Sequence, residues 1–165
     1  MRVLGIDPGT VMMGYGVVEG SSQVSFVDCG TLRCSPRKPV EERLCMLFEG
    51  ICGVIATHSP DVVAIEEPFV GVNVQSAFMV GRAQAIAILA ASRASLPITY
   101  YSPAEVKRQV SGYGRSGKDQ IRTMVMLELK VKDETLGPDA TDALAIALCH
   151  FHNSIANARM AGGRL

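Results

Sequence analysis

The sequence predicts an α/β domain built on a mixed five-stranded sheet, and three observations favour this class. The first 32 residues contain three runs of strand type that are close enough to form an antiparallel meander. Two further short apolar runs follow, separated by segments with helical spacing. The chain has 165 residues, of which 48% are hydrophobic, which is enough to bury a core. We expect one domain over residues 1–165, with the last few residues as a short tail.

The predicted strands form a meander and a pair of later, more buried strands. The first turn contains Pro8, Gly9 and Thr10, residues that favour a tight reversal. Between Asp61 and Glu66 the fourth strand is continuously apolar, which is typical of a central parallel strand. In chain order the strands are Arg2–Asp7, Gly14–Gly20, Gln23–Leu32, Asp61–Glu66 and Leu96–Tyr101.

Helices are predicted wherever apolar residues recur at helical spacing. Ser102, Pro103 and Glu105 form a helix start, with a cap, a proline at the first position and an acid three residues after the cap. The next helix follows the glycine-rich loop Gly112–Gly117. The remaining predicted helices are 39–58, 73–95 and 138–158.

Neither a membrane span nor a secretion signal is predicted. The longest apolar stretch, Ala83–Ala91, is far shorter than the roughly 20 residues that cross a bilayer. Asp7 interrupts the beginning of the chain before a signal peptide's apolar core could form. We therefore expect a cytoplasmic protein without a membrane partner.

The cysteines and histidines do not predict a zinc site. The five cysteines form no pair with the spacing of zinc ligands, so we expect buried free thiols in a reducing compartment. We expect the three histidines at helix ends or on the surface. These residues are Cys29, Cys34, Cys45, Cys52, Cys149, His58, His150 and His152.

The net charge is zero, but the charges are unevenly distributed along the chain. Residues 71–132 carry nine Lys and Arg against three Asp and Glu, and the segments on either side are acidic. A cluster of like charges is often only a solvated surface. The alternative is a surface that neutralises the phosphates of a nucleic acid.

Four acids are candidates for catalysis. Asp7 and Glu66 each end an apolar strand, and the carboxyl ends of parallel strands are where ligands bind in α/β sheets. Asp139 and Asp142 are three residues apart, on one face of a helix that is apolar nearly all round. Carboxylates that converge without basic partners repel one another, and Mg²⁺ or Mn²⁺ relieves that repulsion through oxygen ligands. Glu67 follows Glu66 but points to the opposite face, so we expect only Glu66 to reach the metal.

This set of acids is suited to phosphodiester hydrolysis. Two ions about 4 Å apart can activate a water on one side of the phosphorus and stabilise the leaving oxygen on the other. Phe69 follows Pro68 outside the strand and is predicted to stack on an unpaired base, as is Tyr113. Five basic residues are predicted to neutralise the phosphates of a nucleic acid: Lys107, Arg108, Arg115, Lys118 and Arg122.

Taken together, these motifs resemble the RuvC family of Holliday junction resolvases, which have the RNase H-like fold. The motifs are Gly5-Ile-Asp-Pro-Gly9 with Gly14-Tyr-Gly16, Ala64-Ile-Glu-Glu-Pro-Phe69, Lys107 and Lys118 around the glycine-rich loop, and Asp139-Ala-Thr-Asp-Ala-Leu-Ala-Ile-Ala147. The resemblance covers essentially the whole chain. It implies a Mg²⁺-dependent endodeoxyribonuclease that makes paired, symmetric nicks in four-way junctions during recombination and repair.

The resemblance also assigns roles to individual residues. It implies that the catalytic and metal-binding acids are Asp7, Glu66, Asp139 and Asp142. Lys107 and Lys118 match the family's functional basic residues, and Phe69 matches its aromatic residue at the junction centre. A homodimer is implied, in which the helix beginning near Asn73 packs against its twin through small residues. A RuvA–RuvB branch-migration complex is the implied partner.

Three other functions are consistent with parts of the sequence. One is a YqgF-type RNase H-like nuclease that acts on RNA precursors, against which the Asp139/Asp142 pair and Phe69 argue. Another is a sugar kinase or actin-like ATPase, which shares the Gly5–Thr10 hairpin but needs a chain about twice this length. The third is a junction-binding protein without catalysis, in which the acids are structural.

Overall fold

A computed structural model describes residues 1–67, 74–112, 116–132 and 136–162. Its sheet has five strands in the order β3-β2-β1-β4-β5. β1 pairs antiparallel with β2 and parallel with β4, β2 pairs antiparallel with β3, and β4 pairs parallel with β5. The predicted meander and the central parallel strand are therefore confirmed. The strands are β1 (Arg2–Asp7), β2 (Met12–Gly20), β3 (Val24–Arg33), β4 (Val62–Glu66) and β5 (Ile98–Tyr101).

Helices cover both faces of this sheet. α1 and α2 pack on one face, and α5 lies across β1 and β2 on the other, with α3 and α4 beside it. Ser102 caps α3 and forms the predicted capping box with Glu105. Within the described part of the chain, the helices are α1 (Val40–His58), α2 (Val74–Arg93), α3 (Pro103–Ser111), α4 (Lys118–Leu129) and α5 (Pro138–Gly162).

Alternation along the strands divides the core into two clusters. In β1, Leu4 and Ile6 belong to the cluster under α1 and α2, whereas Val3 belongs to the cluster under α5. β4 alternates in the same way, with Ala64 under α5 and Ile65 under α1 and α2. The last residue of each of these strands therefore faces the α5 side.

Glycines on β1 and β2 let the backbone of α5 lie directly on the sheet. A Cβ atom at Gly5 would collide with the main chain of Ala143 and Ala147. A Cβ atom at Gly14 would collide with the main-chain carbonyl of Asp139, and one at Gly16 would lie 2.7 Å from the amide nitrogen of Leu144. The three glycines occur at alternate strand positions, so they form one smooth strip under the helix.

Three local expectations need correction. β2 begins at Met12 rather than Gly14, because Met12 and Met13 already pair with Arg33 and Leu32 of β3. Cys45 is exposed on α1, so the free thiols are not all buried. His150 is buried rather than on a surface, with its Nδ1 atom 3.0 Å from the hydroxyl of Tyr101. None of the helices in the described ranges is long and apolar enough to span a membrane.

Candidate active site

The parallel pairing of β1 and β4 brings the first two acids to one edge of the sheet. Ile6 pairs with Ile65, so Asp7 and Glu66 are the next residues on adjacent strands. Gln84 of α2 donates from Nε2 to the main-chain oxygen of Glu66 at 3.2 Å and fixes the end of β4. Glu67 is exposed, as its opposite orientation predicts.

The first turn of α5 brings the other two acids to the same edge. Asp139 lies over Gly14, and Gly14 is paired with Asp7 across the β1–β2 ladder. Asp139 and Asp142 are both half-buried, and the charge of each acts on Asp7. The four acids predicted from the sequence are therefore gathered around the end of β1.

Three of these acids line a cleft of about 280 Å³ between the sheet edge and helices α3, α4 and α5. Asp7, Glu66 and Asp142 line its floor with carboxylates, and Lys107 and Lys118 lie at its sides. The rest of the wall is apolar or small: Pro103, Val106, Ile121 and Ala145. An acidic site with apolar walls limits the access of water and strengthens electrostatic interactions inside it.

Two of the carboxyl groups resist ionisation. Burial, followed by the charges of Asp142 and Asp139, raises the pKa of Asp7 from its ordinary value of 3.8 to about 6. Burial, followed by the charges of Asp7 and Asp142, raises the pKa of Glu66 from 4.5 to about 7. Lys118 opposes both shifts. The site is thus short of positive charge near neutral pH.

Lys107 and Lys118 supply only part of the positive charge that the acids of the site lack. The Lys118 ammonium is 3.4 Å from Oδ2 of Asp142, and this neighbour is the main cause of a raised pKa at Lys118. The Lys118 side chain is 81% exposed, so the ion pair is weak and easily rearranged. Lys107 is half-buried on α3, and its charge lowers the pKa of Glu66.

The chemistry of these donors fits a hard divalent cation. The four acids offer carboxylate oxygens, and such ligands select Mg²⁺ or Mn²⁺ over softer metals. The raised pKa values of Asp7 and Glu66 are those of acids that a cation would stabilise in the ionised form. In the ranges that the structure describes, no three His, Cys, Asp or Glu side chains are already spaced as ligands around one ion.

The other residues that the sequence predicts as nucleic-acid contacts lie in different places. Arg122 is half-buried, donates to the carbonyl of Leu136 at 2.7 Å, and lines a smaller cleft of about 150 Å³ beside Lys118. Arg108 is exposed on α3 and is not part of the wall of either cleft. Phe69, Tyr113 and Arg115 lie outside the described residues.

Sequence reasoning missed two residues that hold the site in place. Gln84 interrupts an apolar helical stretch, which is a signal for a buried polar contact. Arg43 is buried beside the turn after β1, where it donates to Thr10. Its sequence context is that of an ordinary amphipathic helix and gave no such signal.

Comparison with known proteins identifies the family. The model of the family described as "Crossover junction endodeoxyribonuclease RuvC" matches residues 3–150. A protein of that name from Dehalococcoides mccartyi is 45% identical over 159 residues, which are 95% of this chain and 96% of the relative. The chain belongs to the RuvC family. It is therefore an endodeoxyribonuclease of that family by sequence, and nucleases of this family are metal-dependent.

Solved RuvC structures have the same fold. T. thermophilus RuvC, in complex with a Holliday junction substrate, superposes with a TM-score of 0.88 at 32% identity, covering 95% of this chain and 96% of that one. The yeast mitochondrial Holliday junction resolvase superposes with a TM-score of 0.59 at 14% identity, covering 94% and 85%. The second likeness shows the fold alone. The predicted RNase H-like architecture of this RuvC-family chain is confirmed.

Proposed function

We propose that this RuvC-family protein resolves four-way DNA junctions by hydrolysing one phosphodiester in each of two strands. The observation that carries the proposal is the cleft in which Asp7, Glu66 and Asp142 meet two lysines. Excess negative charge at the floor suits divalent cations, and positive charge at the rim suits a phosphate backbone. The complex of T. thermophilus RuvC with a junction supports four-way DNA as the substrate.

The residues of the cleft, together with the neighbouring Asp139, divide the work of hydrolysis among them. Asp7, Glu66, Asp139 and Asp142 would hold two Mg²⁺ ions, with Mn²⁺ as a substitute. When bound, such ions supply an activated water and stabilise the leaving oxygen. Lys107 and Lys118 neutralise the scissile phosphate and its neighbours, and the apolar wall keeps bulk water away.

DNA contacts outside the cleft follow from the positions of the other basic and aromatic residues. Arg122 adjoins the cleft and is placed to contact a phosphate beside the scissile one. Arg108 is exposed and would contact more distant backbone. We propose, from the sequence, that Arg115 contacts phosphate, that Phe69 stacks on a base at the junction centre, and that Tyr113 stacks on a base.

The exposed face of α2 supports a homodimer. Phe78 is 68% exposed and Leu89 is 50% exposed, and both lie on the side of α2 that is turned away from the core. Gly81 has open space where a side chain would be, so another helix could approach closely there. A twin helix packed on this face would bury the two large apolar side chains. Two copies of the cleft would then act on the two strands that must be cut.

The first experiment compares a synthetic four-way junction with a linear duplex of the same sequence. We expect paired nicks near the branch point with Mg²⁺, no nicks with chelator, and an uncut duplex. Asp7→Asn should bind the junction but not cut it, whereas Asp119→Asn, an exposed acid outside the main cleft, should cut normally.

Two of the alternative functions predict other outcomes in the same assay. A junction that is bound but never cut by the natural protein would favour the non-catalytic scaffold. Cleavage of structured RNA in preference to the junction would favour the YqgF-type nuclease.

The proposed dimer is tested by the same kind of substitution on two helices, one inside and one outside the expected interface. Phe78→Glu should convert the dimer to a monomer in sedimentation and abolish paired nicking. Leu127→Glu is the control, because Leu127 is also 68% exposed but lies on α4. A dimer that survives Phe78→Glu would exclude this face as the interface.

Two further assignments come from the family resemblance and the sequence. We propose a cytoplasmic location and a RuvA–RuvB branch-migration complex as partner. The partnership is tested by co-purification of that complex with the tagged protein on junction DNA. The control without junction DNA should recover no complex.

A further inference from the structure

Among the residues that the structure describes, the guanidinium of Arg43 is a buried positive charge without an acidic partner. Arg43 is 8% exposed and lies in the first turn of α1. One of its terminal nitrogens donates to both oxygens of Thr10, at 3.1 Å to the carbonyl and 3.2 Å to Oγ1. Its Nε atom has no hydrogen-bond partner, and none of the ion pairs in the described ranges includes it.

Packing alone does not account for an arginine at this position. Burial of a charged group costs stability unless a counter-charge compensates it, and neutral oxygens compensate only in part. An unbranched apolar side chain could fill the same space without that cost. What arginine adds is a charged donor that binds two oxygens of one residue.

Those two oxygens belong to the turn that follows Asp7. Thr10 is itself buried, and the next residue, Val11, accepts a hydrogen bond from the amide of Cys34 at 2.8 Å. The Cys34 thiol in turn contacts the carbonyl of Arg43 at 3.7 Å. The β1–β2 turn is therefore held between the end of β3 and the beginning of α1.

The backbone of the β1–β2 turn is tightly packed against itself. A Cβ atom at Gly9 would collide with the carbonyl of Met12, so the chain reverses within the space of a glycine. A displacement of Thr10 would therefore pass to its neighbours, and Asp7 is only three residues away. The same displacement would move the start of β2, where Gly14 supports Asp139.

We propose that Arg43 is a positioning residue for hydrolysis, which fixes the β1–β2 turn and through it the carboxylate of Asp7. This role rests on the proposed nuclease function. The residue does not touch the cleft, because Arg43 is absent from its wall. It acts on the reaction only through the geometry of the turn.

The test separates cleavage rate, junction affinity and stability in Arg43→Met. With junction saturated by protein, we expect single-turnover cleavage to fall by about tenfold to a hundredfold. The junction Kd should change by less than about threefold, and Tm by only a few degrees, since the buried charge is removed along with its bonds. Arg43→Lys should recover part of the rate, because an ammonium can still donate to Thr10.

A double-mutant cycle tests the route through Thr10. Thr10→Val removes Oγ1 but keeps the carbonyl, so it should slow cleavage less than Arg43→Met. Adding Thr10→Val to Arg43→Met should cause no further loss, because the contact is already gone. Independent, multiplicative losses would contradict a shared contact.

Two controls distinguish positioning from general damage. Leu47→Ala removes a fully buried side chain one turn further along α1 and should lower Tm more than Arg43→Met while leaving the rate unchanged. Arg37→Met removes an exposed charge nearby and should change neither quantity. A natural cleavage rate in Arg43→Met, or a rate loss in Leu47→Ala that matches it, would overturn the proposal.

Amide hydrogen exchange provides a readout that does not depend on activity. In Arg43→Met we expect faster exchange at the amide of Cys34, which donates to the carbonyl of Val11 in the turn, whereas Leu47→Ala should raise exchange across α1 and the core. If the natural protein fails to cut junctions, the proposed function is wrong, and exchange alone decides whether Arg43 holds the turn. Unchanged exchange at the Cys34 amide would refute that contact.

Discussion

The two faces of the sheet are built in different ways. On the α1 and α2 side, large side chains such as Leu4, Ile6 and Met13 separate the helices from the strands. On the α5 side, Gly5 and Gly14 leave no side chain between strand and helix backbone. The first face is filled by interlocking side chains, and the second is a contact of main chain with main chain.

The difference corresponds to what each face must do. Side chains in a packed core can adjust to one another, so small changes on the α1 and α2 side are absorbed locally. Main-chain contact leaves no such freedom, and Asp139 is carried on the helix that makes it. The distance of Asp139 and Asp142 from Asp7 is therefore fixed by the direct contact between the main chains of the strands and of α5.

The largest expected effect comes from placing a side chain on the glycine face. Gly14→Ala forces α5 away from β2 at Asp139, so we expect a loss of about 1–3 kcal/mol in stability and loss of cleavage. The adjacent control Met13→Leu faces the other side and should cost under about 1.5 kcal/mol with normal cleavage. Urea unfolding and junction cleavage measure both, and equal effects of the two substitutions would remove the distinction between the faces.

A second effect concerns the stability of the metal-free protein as pH changes. Asp7 and Glu66 have folded pKa values of about 6 and about 7, above their ordinary values of 3.8 and 4.5. The folded state therefore binds more protons than the unfolded state between about pH 4 and pH 7, and stability falls as pH rises through that window. The expected loss is on the order of a few kcal/mol.

Thermal unfolding in chelator across this window measures the loss. Above pH 7, Mg²⁺ or Mn²⁺ should restore stability, because a cation stabilises the ionised acids. Glu66→Gln should flatten the profile. A natural protein whose stability rises between pH 4 and pH 7 would show that burial and neighbouring charges do not raise the pKa values of the two acids.

The smallest expected change is in rate alone. Lys118→Ala should slow cleavage on the order of a hundredfold, because the Lys118 charge acts at the cleft. We expect little loss of junction affinity, because the Lys118 side chain is exposed. Arg108→Ala, outside the cleft, should weaken binding without slowing the bound complex. Single-turnover rates and Kd values separate these cases, and equal loss of both by Lys118→Ala would exclude a role in the transition state.

The elements and the four acids were predictable because their signals are local. Asp7 and Glu66 each end an apolar run, and the parallel register of Ile6 with Ile65 follows once β1 and β4 are neighbours. The Ser102 capping box has a sequence signature of its own, and the structure contains it. These features depend on residues that are close in the chain or at the end of one strand.

The features that escaped prediction depend on contacts across the fold. Arg43, in an amphipathic helix, and His150, in a largely apolar one, both look like surface residues. Their partners are Thr10 and Tyr101, which only the packed structure brings near. The glycines of β1 and β2 were visible at alternate positions. They contact α5, which lies more than a hundred residues later in the chain. A local sequence pattern cannot show which distant element packs on them.

The order of the acids along the chain has a consequence for biosynthesis. Asp7 is made first, Glu66 follows, and Asp139 and Asp142 come only with the last helix, which covers both of the first two strands. While α5 is still inside the ribosome, the nascent chain has two of the four site acids and an uncovered sheet. The proposed hydrolysis therefore has to wait until α5 has been made and has folded onto the sheet.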